Sequence, residues 1–406
     1  MKVLHINCAS TGSTGKIIED IANHAANAGI ETLLCTPAKP AKNKNIRYFK
    51  TSLPCEQGLY RRLNYFYGFQ YGLAPFSTIR IKWIIEREKP NLVHIHCTNG
   101  FMVNVYSLLR FIKKKKIAVV ITNHAEFFYT GNCAHAYDCR KWLAGCGECP
   151  QQMLATGTNL RDTSAAGWRR MGRAFSSLEK AIMVSVSPWV ESRAKQSPIT
   201  GALDHRIVLN GVNTSIFSWR DSESLRSKYG FSSQTKIVFH PTANFSVSEQ
   251  DSKGGRFVME LAERFADQDV LFVVAGKHTQ NMKTPKNLIL LGQISDQTKL
   301  AEYYAMADVT VVTGKRETFG MPVAESLCCG TPVVGFLAGG PESIAIKEYT
   351  AFVEYANVDE LKRILSENLE KNYETQLIAS TAKEKYAAEV MSEGYIDIYR
   401  ELLVWE

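Results

Sequence analysis

The sequence predicts an α/β protein of two doubly wound, parallel-sheet domains, and three observations lead there. Apolar runs rich in β-branched residues recur along the chain without the strict alternation of a one-sided sheet, as strands buried on both faces require. Helical patterns separate most of these runs, the mark of βα units. The series also restarts in mid-chain after "HRIVLNGVNTSIF", and 406 residues are comfortable for two cores but long for one.

In the first half the strand-like runs are "KVLHI", "ETLLC", "NLVHIH", "IAVVIT" and "AIMVSVS". In the second they are "KIVFHP", "VLFVVAG", "NLILLG", "ADVTVVTG" and "TPVVGF". The Pro- and Gly-containing "SPITGALDH", residues 197–205, reads as the boundary. The expected domains are therefore 1–200, carrying a Cys-rich insertion at 131–150, and 201–385. An amphipathic tail, 386–406, is expected to fold back onto the first domain. In open α/β sheets ligands bind beyond the carboxyl ends of the strands, so polar residues just after the strand-like runs are the candidate site.

Composition narrows the class. No opening segment joins a basic head to a long apolar run, and no apolar run approaches membrane-spanning length, so a cytoplasmic protein is expected. The net charge of +8 is unevenly spread, with four lysines at 113–116 and two arginines among seven aromatics in "YRRLNYFYGFQYGLAPF", Tyr60–Phe76. Basic residues beside aromatics suit the surface of an anionic membrane, whereas the plain alternatives are a solvated loop and ordinary core. No basic helix, zinc finger or RNA-binding signature accompanies the charge, so nucleic acid is not an expected partner.

The first polar stretch after a strand is "STGSTGK", Ser10–Lys16. It is not a P-loop: only two residues separate Gly12 from Gly15, and Ile17 stands where the magnesium-binding hydroxyl would be. Backbone N–H groups at a helix start, aimed at an anion or polar group, remain. In "GKRETFGMPVAESLCCGTPVVGFLAGGPESIA", Glu317 and Glu325 are separated by seven residues and flank a Gly-containing turn. A carboxylate can accept hydrogens from two ribose hydroxyls, and such a turn presents donors to an anion. Lys253-Gly254 follows the first strand of the second domain, and His124 follows the strand "VVIT".

Taken together these stretches resemble the retaining nucleotide-sugar glycosyltransferases of the GT-B fold, specifically their fourth and largest family, of the kind that builds bacterial capsule, exopolysaccharide and colanic acid. The resemblance runs from "GSTGK" to the C-terminal helix. It implies that Glu325 holds the donor ribose, that Glu317 lies by the donor sugar, and that Thr318, Phe319 and Gly320 offer amides to sugar or phosphate. It implies that Lys253 neutralises the departing diphosphate and that His124 orients the hexose, with Gly12 and Lys16 as accessory phosphate contacts. Many members carry an arginine shortly before the lysine; none occurs here between Phe239 and Lys253, where Asn244 stands instead, so Arg316 or Lys315 is the expected source of that charge. His94 and His96 alternate along a strand, so at most one is expected to face the cleft, with a packing or acceptor-side role.

The implied function is transfer of a hexose, with retained configuration, from a UDP- or GDP-linked sugar to a lipid-linked or oligosaccharide acceptor, at the inner face of the plasma membrane and with no cofactor required for catalysis. The rival readings are a nucleotide-sugar 2-epimerase of the same fold and a non-catalytic sugar-nucleotide-binding scaffold. Cys133, Cys139, Cys146 and Cys149 form a cluster ending in Cys-x-x-Cys, which suits a structural zinc; two disulfides suit the residue types but not a reducing compartment. Asp267 and Asp269 spell the Asp-x-Asp of metal-dependent transferases of another fold, but fall in a helix-to-strand connection and read as turn residues.

Overall fold

The computed structural model describes residues 1–37, 43–176 and 178–404. It divides into two compact units, Met1–Leu209 with Met391–Glu406, and Asn210–Val390.

The first unit holds seven parallel strands: β1 (Lys2–Ile6), β2 (Glu31–Thr36), β3 (Ile46–Lys50), β4 (Leu92–Ile95), β5 (Ala118–Asn123), β6 (Ala181–Ser185) and β7 (Asp204–Ile207). Their order is β3-β2-β1-β4-β5-β6-β7, so the winding reverses between β1 and β4. The central strands β4, β5 and β6 are buried along their whole length, as unbroken apolar runs require. Two strands escape the sequence pattern. β3, "IRYFK", is a partly exposed edge, and β7 lies inside the stretch expected to be the boundary. The junction therefore falls after Leu209 rather than at 200/201. β7 is short, with an exposed Ile207 and with Arg206 paired to Asp204 and Glu401, so it reads as a polar linker.

The tail forms the helix Ala388–Val404, and from Met391 on it belongs to the first unit rather than from residue 386. Met391, Tyr395, Ile398, Tyr399 and Leu402 recur at helical spacing and are buried with Val3, Ile21 and Val184. Residues 405–406 of the expected tail lie outside the described residues.

The second unit holds six parallel strands: β8 (Lys236–Asn244), β9 (Val270–Lys277), β10 (Leu288–Leu290), β11 (Val309–Val312), β12 (Val333–Phe336) and β13 (Thr350–Val353). The order β10-β9-β8-β11-β12-β13 reverses between β8 and β11. β13, "TAFV", is too short and too exposed to show a pattern. Asp267 and Asp269 fall, exposed, between the helix Gly255–Arg264 and β9. Among the described residues no helix is long and apolar enough to cross a membrane.

Candidate active site

In the second unit the polar groups gather after β8, β11 and β12, at the reversal of strand order where open α/β sheets bind ligands. The loop after β8 ends in Gly254, whose φ of 74° starts the helix Gly255–Arg264. A Cβ at Gly254 would lie 2.2 Å from the Thr313 carbonyl oxygen, so only glycine lets the two loops touch. Thr313 Oγ1 donates to the carbonyls of Lys253 and Gly254 at 3.0 and 3.1 Å, and Lys315 N to that of Ser252 at 2.8 Å. These clips bring Lys253 to Glu317: its Nζ donates to Glu317 Oε1, both side chains being partly exposed. Such an ion pair in solvent is worth little by itself, which leaves both charges available to exchange partners.

Glu317 is held in turn by the loop after β12, its N–H donating to Ala338 O at 3.1 Å and its carbonyl accepting from Gly340 N at 2.9 Å. A Cβ at Gly340 would sit 2.4 Å from the Thr318 carbonyl carbon, so these loops also depend on glycine for their contact. Gly320, at φ 92°, opens the helix Met321–Cys328; Phe319 is buried beside it and Thr318 half-buried. Glu325 lies in the second turn of that helix, where Tyr304 Oη donates to its Oε2 at 2.9 Å. Burial and the neighbouring carboxylate together hold the Tyr304 hydroxyl far above its ordinary range, so it stays a donor. Tyr304 escaped sequence reading because the helix Gln297–Met306 carries "EYYAM", where adjacent tyrosines look like packing. Asn244 ends β8 with an exposed side chain; Arg316 is half-buried next to Glu317, and Lys315 lies 5.8 Å from the Tyr355 ring.

The first unit gathers its polar groups after β1, β4 and β5. Gly12 has φ 76° in open space and starts a helix of 16 residues. The close backbone approach in this loop is made instead by Gly15, where a Cβ would lie 2.6 Å from the Ser10 carbonyl carbon. Asn7 braces the loop: its Nδ2 donates to Ala9 O at 2.7 Å and to Thr14 Oγ1 at 3.0 Å, while its Oδ1 accepts from Cys97 N at 3.1 Å. Lys16 follows in the helix, half-buried.

Beside this loop stands a row of imidazoles. His5 Nδ1 lies 3.0 Å from His96 Nε2, and His96 Nδ1 lies 3.0 Å from His124 Nε2. His5, His94 and His96 are fully buried, whereas His124 is half-buried at the end of the row. Both histidines of β4 and its following turn are thus inside, His96 on the His124 side and His94 against the C-terminal helix. Burial pushes His5 down to about 3 and His124 to about 4, and holds His94 and His96 well below the usual imidazole range. All four rings are therefore neutral at pH 7, and each contact in the row uses one N–H and one lone pair, so the tautomer of one ring sets that of the next. Nitrogens of His5, His94 and His96 lie within 4.8 Å of one another, close enough for a shared metal. Most of them are engaged in hydrogen bonds: His94 meets Tyr399 Oη at 2.6 Å and Thr122 Oγ1 at 2.8 Å, and His5 Nδ1 and His96 Nε2 meet each other, whereas His5 Nε2 is buried without a partner among the described residues.

Comparison with known proteins gives this geometry a family. Residues 14–215 match the profile described as Glycosyltransferase Family 4, and residues 245–385 match Glycosyl transferases group 1. The chain belongs to the group 1 glycosyltransferases. Among curated proteins, the N-acetyl-alpha-D-glucosaminyl L-malate synthase of Bacillus anthracis is 25% identical over 219 residues, 49% of this chain and 54% of that one. The putative colanic acid biosynthesis glycosyl transferase WcaC of Escherichia coli K12 is 21% identical over 336 residues, 79% of this chain and 78% of that one. The chain thus spans about half the length of the first relative and over three quarters of the second. The sucrose-phosphate synthase structure from Thermosynechococcus elongatus superposes with TM-score 0.71 and 17% identity, covering 100% of both chains. Anabaena HepE in complex with UDP superposes with TM-score 0.68 and 14% identity, covering 99% of this chain and 100% of that one. The fold of this group 1 glycosyltransferase is GT-B.

Three features of this group 1 glycosyltransferase lie away from its strand ends. Of the aromatics in Tyr60–Phe76, Tyr60 and Tyr71 are buried, but Tyr65, Phe66, Tyr67 and Phe76 are exposed, and Leu59, Ile79 and Trp83 join them on the helices Glu56–Tyr67 and Pro75–Glu88. Ordinary core does not account for that face. The Lys113–Lys116 run is exposed at the end of the helix Val105–Lys114, with Lys115 paired to Glu86 at 2.8 Å. The four cysteines of the 131–150 stretch are unbridged and line a single cavity.

Proposed function

We propose that this chain moves a hexose from a UDP- or GDP-linked sugar to an acceptor hydroxyl with retained configuration, in the assembly of a bacterial surface polysaccharide. The observation that carries the reading is the Lys253–Glu317 pair, clipped by glycine contacts beside a helix start and one loop away from the Tyr304-held Glu325. That arrangement offers a cation and N–H groups for a diphosphate, a carboxylate for a sugar, and a second carboxylate for a ribose. Family membership supports transfer, WcaC supports polysaccharide synthesis, and HepE, solved with UDP and with UDP-glucose, supports a nucleotide-sugar donor.

In this reading the acceptor oxygen bonds to the anomeric carbon on the face from which the diphosphate leaves. The acceptor's proton passes to the departing diphosphate oxygen, so no protein nucleophile is needed. Lys253, Arg316 and the amides of Thr318–Gly320 stabilise the charge growing on the diphosphate, the dominant contribution to rate. Glu317 and neutral His124 orient the sugar, Asn244 stands by the phosphates, and Gly12 with Lys16 adds an accessory polar contact. The exposed aromatic face and the basic residues of the first unit serve a lipid-linked acceptor at an anionic membrane.

The test is incubation with UDP- and GDP-hexoses, with and without lipid-linked acceptor extracts, followed by mass spectrometry and NMR of the new linkage. Transfer with the donor's anomeric configuration supports the proposal. Inverted product refutes retention, isomerised donor without acceptor identifies an epimerase, and tight donor binding with no turnover identifies a scaffold. Flotation with anionic vesicles at low salt tests the membrane contact; no binding there refutes it.

A further inference from the structure

The stretch from Cys133 to Thr163 has almost no core of its own. Among its described residues the buried apolar ones are Cys133, Ala136, Trp142 and Ala155. Yet it holds a definite shape, and its backbone is unusual: Gly145, Cys146, Gly147 and Glu148 all have positive φ, at 123°, 57°, 108° and 45°. Two of those residues carry side chains that disfavour that region, and such strain persists only where the surroundings over-determine it. The turn ends in Cys149, and Cys133, Cys139, Cys146 and Cys149 all line one cavity with room for about one water-sized sphere. Gln151 Nε2 donates to Cys133 Sγ at 3.2 Å, and Lys141 Nζ donates to the carbonyls of Gly147 and Glu148 at 3.2 and 2.7 Å, setting a cation beside the turn.

We propose that these four side chains hold one zinc ion as thiolates, and that the ion fastens residues 133–163 under the exposed aromatic helix Glu56–Tyr67. Four sulfur ligands with one Cys-x-x-Cys pair are the donor set of a closed tetrahedral site, which leaves no position for a substrate, so the ion is structural. Binding releases four thiol protons to solvent and leaves the centre with a formal charge of about −2, which Lys141 and the Gln151 amide face. The metal takes the place of the missing apolar core.

The fastening is visible on both flanks of the cluster. Asn64, on the aromatic helix, donates through Nδ2 to Thr156 O at 2.8 Å, and a Cβ at Gly157 would lie 2.4 Å from that nitrogen. Just beyond the helix, Gln70 Nε2 donates to Asn132 O at 3.1 Å and Ala155 O at 2.6 Å, and Thr163 Oγ1 donates to Gly68 O at 2.5 Å. Arg161 Nη2 donates to Tyr67 O at 3.1 Å, and Met153, Leu154 and Leu160 add exposed apolar side chains to the segment.

The experiment uses the full chain, purified with reductant and without chelator. Mass-spectrometric metal analysis is expected to find about one zinc per chain. Native alkylation should label exposed Cys55 quickly and spare the four cavity cysteines, which become labelled once a mercurial reagent has released the zinc. In the double variant Cys139→Ser/Cys149→Ser the zinc content should fall at least tenfold. Deuterium uptake in residues 56–67 should rise, with the far-UV circular dichroism of the remaining fold retained. Wild-type protein answers the question if that variant does not fold. Absence of zinc with the four thiols labelled as fast as Cys55, or their recovery as disulfides, overturns the metal site. Zinc release that leaves deuterium uptake in 56–67 unchanged overturns the fastening.

Discussion

The two units build their strand-end clusters from opposite materials. In the first, His5, His96 and His124 form a hydrogen-bonded row of neutral rings, with His5 and His96 fully buried and His124 half-buried at its end. In the second, Lys253, Glu317 and Glu325 are charged and partly exposed, and sit against glycine turns at helix starts. The contrast follows from desolvation. A charge sunk as deep as His96 would be too costly without a partner, whereas a cation meant to meet a phosphate has to remain hydrated until the phosphate arrives. Under the proposed transfer, the neutral cluster orients the sugar and the ionic cluster exchanges partners.

That contrast can be broken most directly at Lys253. Lys253→Ala is expected to lower kcat/KM by about 10³-fold, since it removes charge where charge develops on the diphosphate; a loss below tenfold would remove Lys253 from the donor site. His124→Ala should lower kcat by about 10²-fold while leaving the thermal shift produced by UDP unchanged. Equal losses of turnover and of UDP binding would erase the distinction between the clusters.

Smaller effects sharpen it. Glu325→Ala should weaken UDP-sugar binding by about tenfold, the worth of a charge-assisted hydrogen-bond pair, and Tyr304→Phe by a few-fold, because it frees one carboxylate oxygen without removing the charge. Isothermal titration reads both, and the ranking should reverse if Glu325 is merely a solvated helix residue. Acid should act on the first unit more than on the second. Its imidazoles titrate below their ordinary 6.5, His5 at about 3 and His124 at about 4, so the unfolded chain binds more protons and stability is lost as pH falls below 6.5. The second unit buries one such ring, His240, held at about 4. Hydrogen exchange at pH 5 should therefore loosen β1, β4 and β5 before β8 and β11.

Most of the strands were legible because the buried parallel ones are continuous β-branched runs, as in β5 and β9. β3, β7 and β13 were not, since an edge strand that is short and half-exposed leaves no apolar period. The misplaced boundary is the same failure: a strand with Arg206 on it looks like a linker. The positions of Glu317, Lys253 and His124 in loops after strands were legible in the sequence, whereas the roles given to them and to Glu325 came from the family resemblance. Tyr304 was not, because its partner Glu325 is far away in sequence and no local pattern marks a tyrosine that turns toward a carboxylate. The role of Gly15, rather than Gly12, in the close approach likewise depends on where Ser10 lies in space.

By itself the amino-acid order determined the βα alternation, the two-domain plan, the return of the C-terminal helix and the kinds of groups at the strand ends, because each is written in local periodicity or in neighbouring residues. Only the tertiary structure decided which of those groups meet. The His5–His96–His124 row, the Lys253–Glu317 pair and the cavity shared by four cysteines join residues brought together by strand order and by loops that touch through glycine. Hydrogen bonds and ion pairs act over a few ångströms, and sequence separation is no measure of that distance.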